Sequence, residues 1–431
     1  MMRALYSLFM TLAQPLLRRK LARRGRVEPG YLEAVEERFG RYGDGAALEG
    51  YVWVHAVSLG ETRAAAILIE RLRERLPDMR LLLTHGTATG RAEGARLLRP
   101  GDTQAWLPWD TRAAVGRFLA HFKPRIGILM ETEIWPNLIH ACAEAKIPLT
   151  LVNARLSDKS LRQALSLPFL ARPAYAALVA VWAQTQADSD RLKELGAPVR
   201  GVVGNLKFDA PADEALLARG RAWRAAAARP VLMFASSREG EEAALLRALR
   251  KTPAAAGAQW LIVPRHPQRF DEVAALVQAE GFSVSRRSEW SDAPQEADIW
   301  IGDSLGEMPF YYGLSDAALL GGSFEPLGGQ NLIEAAACGC PVIMGTSTFN
   351  FAEAAQLAQA QGAALRMADI TEAVRAALGL AMDGPRREAM ALRAVRFAAA
   401  HRGAADRTAQ ELVDLLAPKA QRAPPRPAVS A

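Results

Sequence analysis

The sequence predicts an α/β protein built from two doubly wound halves, and two observations carry that prediction. Short β-rich apolar runs alternate with helical segments from Tyr51 onward, the pattern of a parallel sheet covered by helices on both faces. The rhythm breaks near GNLKFDAP (204–211), passes through an Ala/Arg-rich helical stretch and starts again at Pro230, which puts a junction near 205–230. With 431 residues, 50% of them hydrophobic, the chain can bury two cores.

The elements follow in order. YVWVHAV (51–57) leads through Ser58, Leu59 and Gly60 into a helix whose apolar periodicity runs to Leu76. RLLLTH (80–85) leads through GTATG into a second helix, RIGILM (125–130) into one starting near Pro136, and IPLTLVN (147–153) follows. In the second half PVLMFAS (230–236) precedes a helix from Glu239, WLIVP (260–264) one from Pro267, and DIWIG (298–302) one from Gly306. LLGGSFEPLGGQNLIEAAACGCPVIMG (319–345) reads as strand, glycine-rich loop, helix from about Asn331, and strand. Residues 369–416 read as closing helices of the second half, and 417–431 as a disordered tail. The predicted divisions are therefore 1–26, 27–210, 211–416 and 417–431.

Charge is unevenly placed. The formal net charge is +7, and residues 1–27 alone hold seven basic residues and no acid; three more cations lie in 415–431. The body is slightly acidic, which excludes a basic nucleic-acid binder. Residues 4–17 are largely apolar but are interrupted by Gln14 and Pro15, and they fall short of the roughly 20 residues that a spanning helix needs. With cations following the apolar part, and no small-residue cleavage site, the segment reads as a helix lying in or dipping into one leaflet of an anionic cytoplasmic membrane surface. The competing reading is an ordinary amphipathic helix packed on the body. Cys142, Cys338 and Cys340 form no CxxC pair and read as reduced core residues.

Several strand ends carry chemistry. Glu61 opens a helix directly after a strand, where a carboxylate either favours the helix N-terminus or serves as a general base. Glu131 and Glu133 follow RIGILM two apart and share a face in extended chain; capping the helix at Pro136 is the alternative. Lys207 in GNLKFD is either a cation at the junction or a solvated lysine. In PRHPQRF (264–270), Arg265 and His266 emerge at a sheet edge, where a guanidinium fork suits phosphate. GDSLGEM (302–308) offers backbone N–H groups around Leu305, Gly306 and Glu307, and Ser236 and Ser237 begin a further polar helix start. Asn331 reads as an N-cap. Glu334 either completes a capping pair or receives a ribose hydroxyl. Four such entries in one half point to a nucleotide. Asp188 and Asp190 spell a DxD that reads as an N-cap with acids in a first helical turn, and the six histidines show no ligand spacing, so no metal is expected.

Taken together, WVHAVSLGE, THGTATG, ETEIWPNLI, NARLSDKS, GNLKFD, ASSREGEE, IVPRHPQRF, GDSLGEM, GGSFEPLGGQNLIEA and FNF at 349–351 resemble, in order and spacing, the 3-deoxy-D-manno-octulosonic acid (Kdo) transferases of lipopolysaccharide synthesis. The match runs from about Tyr31 to Leu416. The resemblance implies a GT-B fold with a cleft between two Rossmann-like halves, CMP-Kdo as donor, the lipid A precursor lipid IVA as acceptor, and inverting transfer at the cytoplasmic face of the cell inner membrane. It also implies a general base at Glu61 and transition-state stabilisers at Glu131 and Lys207. By the same motifs, CMP contacts fall on Pro264 and Arg265, on Leu305, Gly306 and Glu307, and on Asn331, Leu332, Ile333 and Glu334. Two rivals remain, a nucleotide-sugar 2-epimerase of similar fold and a catalytically silent nucleotide-sugar binder. The first has no need of a basic membrane segment, and the second none for Glu61, Glu131 and Lys207 together.

Overall fold

The computed structural model describes residues 2–43, 49–209 and 212–417, apart from the side chain of Glu353. The chain divides into two compact units, one of Met1–Ala210 with Arg402–Ala431 and one of Pro211–His401.

The first unit holds seven strands, β1 (Val52–His55), β2 (Leu81–His85), β3 (Thr103–Trp106), β4 (Ile126–Met130), β5 (Leu149–Ala154), β6 (Ala180–Ala183) and β7 (Val199–Val202). They pair in parallel in the order β3-β2-β1-β4-β5-β6-β7. Every residue of β1, β2 and β4 is buried, as expected for strands covered on both faces. Alternation along each strand sends Trp53, Leu82, Leu129 and Leu151 to one core with Phe118, and Val52, Val54, Leu81 and Ile128 to another with Leu68 and Leu72.

The second unit repeats the plan with β8 (Val231–Ser237), β9 (Gln259–Pro264), β10 (Val284–Arg286), β11 (Ile299–Ile301), β12 (Ala317–Leu320), β13 (Val342–Met344) and β14 (Ala364–Arg366). Their order is β10-β11-β9-β8-β12-β13-β14, again all parallel. In each sheet the winding reverses beside the unit's first strand, at β1/β4 and at β8/β12. Ligands of such sheets bind at the carboxyl ends of those strands.

One boundary differs from the sequence reading. Helices Ile370–Met382 and Gly384–Ala400 close the second unit, but Ala404–Leu416 returns to the first. Its Ala405, Ala409 and Leu412 enter the core of Leu68 and Leu72, and Asp209 accepts hydrogen bonds from the N–H groups of Gly403 and Ala405. Amphipathic periodicity gives a helix its buried face, not the sheet that covers it. The tail from 418 lies outside the described residues.

The N-terminal segment forms two helices, Met2–Leu12 and Gln14–Gly25, with Pro15 in the first turn of the second. Among the described residues no helix is long and apolar enough to cross a membrane. In the first helix the buried residue is Ser7, whereas Leu5, Leu8, Phe9 and Leu12 face outward, each more than half exposed. Ser7 Oγ donates to Asn137 Oδ1 at 2.8 Å, so a polar side chain docks this helix and its apolar face stays uncovered.

Candidate active site

At the β1/β4 switch, Ser58 caps the helix Leu59–Arg75 in extended conformation and its side chain faces the Glu61 N–H. The Ser58 hydroxyl donates to Glu61 Oε1 at 3.0 Å and the Val57 N–H to Oε2 at 2.9 Å. Glu61 thus occupies the helix-end position that its spacing allows, half-buried at the carboxyl edge of the sheet. Burial raises its pKa above the ordinary carboxylate value; the two hydrogen bonds oppose this, and the negative charges of Glu131 and Glu133 reinforce it. A base held nearer to neutrality is better matched to removing a hydroxyl proton.

Glu131 directly follows β4 with φ 56°, in the left-handed region that non-glycine residues seldom adopt. Asn153 at the end of β5 (φ 52°) and Ser236 at the end of β8 (φ 54°) share this conformation. Such backbone outliers gather where a structure fixes side chains for a task. The Glu131 side chain is 9% exposed, so its charge needs a partner; Lys207 Nζ donates to Oε1 at 2.8 Å and Arg155 Nε lies 3.6 Å from Oε2. Glu133 accepts from Trp135 Nε1 at 2.8 Å and lies 3.8 Å from the buried Nε2 of His55. The His55 ring and the Trp135 donor hold the Glu133 carboxyl below its ordinary value against the opposing effect of burial. The three residues predicted for catalysis therefore lie in one unit, with Glu131 acting on both Glu61 and Lys207.

In the second unit Pro264 ends β9, and Arg265, exposed beyond it, reaches Gln330 Oε1 at 3.3 Å. The glycine-rich loop passes close to β8: a Cβ on Gly321 would sit 2.2 Å from the Ser236 carbonyl oxygen, so only glycine fits. Glu241, fully buried, fastens that loop by accepting from the N–H groups of Gly322 (2.8 Å), Phe324 (3.1 Å) and Arg238 (2.9 Å). Sequence reasoning missed this role, because Gly322 and Phe324 lie 81 and 83 residues away and only the fold brings them in. Asn331 caps the helix Leu332–Ala337, accepting from Ile333 N at 3.1 Å, while Leu332 and Ile333 are buried. The capping pair is not completed. The Glu334 carboxylate makes no hydrogen bond among the described residues and its side chain reaches solvent at one edge; desolvation by the surrounding protein raises its pKa, and the charge of Arg265 opposes the rise. Leu305 stands 75% exposed beside Gly306 (φ 82°), and Glu307 is tied to Arg287 at 2.7 Å and to the Ser304 hydroxyl. Asp188 is held as an acid in the first helical turn, with Thr185 as the N-cap, the helix-start role that the sequence reading gave the motif in place of a metal site.

A family model described as 3-Deoxy-D-manno-octulosonic-acid transferase (kdotransferase) matches residues 33–210. The 3-deoxy-D-manno-octulosonic acid transferase of Bordetella pertussis is 49% identical over 427 residues, 96% of this chain and 99% of that protein. The chain belongs to this family. The enzyme of the same name from Haemophilus influenzae is 32% identical to the transferase over 433 residues, 98% of this chain and 100% of its own. Among solved structures, the UDP-GlcNAc 2-epimerase from Neisseria meningitidis bound to UDP-GlcNAc superposes on it with a TM-score of 0.56 at 16% identity, covering 84% of this chain and 99% of the other. That likeness bears on fold alone, the two Rossmann-like units of the GT-B class. The transferase is a glycosyltransferase, and the epimerase reading falls with the full-length kinship.

Proposed function

We propose that this transferase moves Kdo from CMP-Kdo to a hydroxyl of the lipid A precursor lipid IVA, with inversion, at the cytoplasmic face of the inner membrane. The carrying observation is the carboxylate at the β1/β4 switch with a raised pKa, beside the buried Glu131 that pairs with the partly covered Lys207. In this reading Glu61 takes the proton of the acceptor hydroxyl as its oxygen bonds to the anomeric carbon of Kdo. The bond from that carbon to the CMP phosphate oxygen breaks, and CMP leaves with the electron pair. Lys207, fixed by Glu131, supplies positive charge where negative charge develops. Pro264, Arg265, the turn at Leu305, Gly306 and Glu307, and the helix start at Asn331, Leu332, Ile333 and Glu334 hold CMP, with Arg265 toward phosphate and Glu334 toward a ribose hydroxyl. A single phosphate on the leaving group lets cationic side chains and backbone N–H groups serve, so this reading calls for no metal.

The outward apolar face of Met2–Leu12 and the cations of Gln14–Gly25 support a membrane seat, one helix lying in the interface and the other beside anionic headgroups. Incubation with CMP-Kdo and lipid IVA, followed by mass spectrometry of the lipid, tests the reading. A mass gain of whole Kdo units is expected, and an unchanged lipid with consumed or untouched donor would overturn it.

A further inference from the structure

Beneath Lys207 lies a chain of three side-chain amides that no proposed catalytic step uses. Asn153 is fully buried at the end of β5, and its Oδ1 accepts from the N–H of Leu206 at 3.0 Å. Its main-chain carbonyl accepts from Gln184 Nε2 at 2.9 Å, and Gln184 Oε1 in turn accepts from Asn205 Nδ2 at 3.0 Å. Asn205 Oδ1 then accepts from the N–H of Lys207 at 3.0 Å. The turn that carries Lys207 is thus held at two successive N–H groups, both traceable to the carboxyl ends of β5 and β6.

Two features of Asn153 are costly for a residue with no task. Its backbone is left-handed, a conformation that asparagine tolerates better than most side chains, and its Nδ2 is buried with no hydrogen-bond partner. An apolar residue would remove the orphan donor but also the acceptor for Leu206. We propose that Asn153 is a positioning residue, acting with Gln184 and Asn205 to set the height of Lys207 over Glu131. The inference rests on the catalytic role proposed for Lys207.

Full-length enzyme carrying Asn153→Gly keeps the left-handed backbone without the amide, and Asn153→Asp keeps both the backbone preference and the acceptor. Turnover of Asn153→Gly should fall about 10- to 100-fold, as expected when a catalytic group is displaced by an ångström or less, with the KM for CMP-Kdo unchanged. Asn153→Asp should recover most of that loss. The deciding measurement is the cycle with Lys207→Ala: a residue that acts through Lys207 has no further effect once Lys207 is gone. Equal losses in the two backgrounds, or full turnover in Asn153→Gly, would overturn the inference. Full turnover in Lys207→Ala alone would instead sink the catalytic reading of Lys207.

Discussion

Lys207 Nζ and Glu131 Oε1 stand 2.8 Å apart across 76 residues of sequence, joining the turn after β7 to the left-handed residue that follows β4. A lysine with two-thirds of its side chain covered is held in one place by a carboxylate that is itself almost fully buried. Glu131→Gln keeps the shape and removes the charge, leaving the ammonium free to move and Glu61 with one less negative neighbour. Turnover should fall about 10²-fold, the scale on which a preorganised charge acts, while CMP affinity, which the proposed function assigns to the second unit, should stay unchanged. Steady-state kinetics beside calorimetric CMP titration separates the two. Loss of CMP binding in this variant would place Glu131 in the nucleotide site instead.

The pKa of Glu61 gives a pH prediction. As a base it must be ionised, so activity is lost as pH falls through its pKa, and because that pKa is raised the acid limb of kcat/KM should lie above the ordinary glutamate value. Glu133→Gln removes a negative charge that raises it and should move the acid limb to lower pH. Glu61→Gln should cut turnover about 10²- to 10⁴-fold with CMP binding intact. An acid limb that stays in place in Glu133→Gln would assign it to another group, and near-normal turnover in Glu61→Gln would leave Glu61 with its capping role alone.

Legibility in the sequence followed run length and locality. The strands flanking both switch points, β1, β4, β8 and β12, are wholly or largely buried apolar runs ended by glycine, serine or acid, and each is readable from a few residues. TQAW of β3, VSR of β10 and ALR of β14 hold at most two apolar residues each, and these strands, with β6 and β7, are not legible in the sequence. β7 alternates between half-buried and exposed, and the AVWA of β6 follows an alanine-rich stretch that reads equally well as helix. The strand-end positions of the candidate residues Glu61, Glu131 and Arg265 were legible because the doubly wound plan fixes where strands end. Glu241 and Asn153 were not, since their roles consist of hydrogen bonds to backbone distant in sequence.

Glu241 also separates loop order from nucleotide contact. Glu241→Ala leaves three backbone N–H groups, at Arg238, Gly322 and Phe324, without their acceptor, and each such loss costs about 1–3 kcal/mol where water cannot reach. CMP affinity and the unfolding midpoint of the second unit should fall together. In Arg265→Ala and Glu334→Ala, by contrast, CMP affinity should drop roughly ten- to a hundredfold with the unfolding midpoint unmoved, since both side chains reach solvent. Unchanged affinity in both would move the nucleotide site elsewhere.

The N-terminal helices give the last prediction, and the docking of Ser7 sharpens it. Leu5, Leu8, Phe9, Leu12 and Leu16 are each more than half exposed, and each adds roughly 1 kcal/mol or more on entering a bilayer interface. Arg18, Arg19, Lys20, Arg23, Arg24 and Arg26 follow, each adding about 1 kcal/mol near anionic lipid, a contribution that salt weakens. Arg18 contributes less, because Glu36 already engages it at 2.6 Å. An enzyme truncated to begin at Val27 should leave anionic vesicles in a sedimentation assay, bind CMP as before, and lose most activity toward acceptor presented in vesicles. Truncation also removes the Ser7 hydroxyl from Asn137, which stands in the first turn of the helix after Glu133 and Trp135 and donates to Asp110 from its amide and its main-chain N–H. A smaller loss with detergent-dispersed acceptor is therefore expected too, and Ser7→Ala in the full-length enzyme should reproduce that smaller loss while still sedimenting. A truncated enzyme that continued to pellet in high salt would place the membrane seat on another surface.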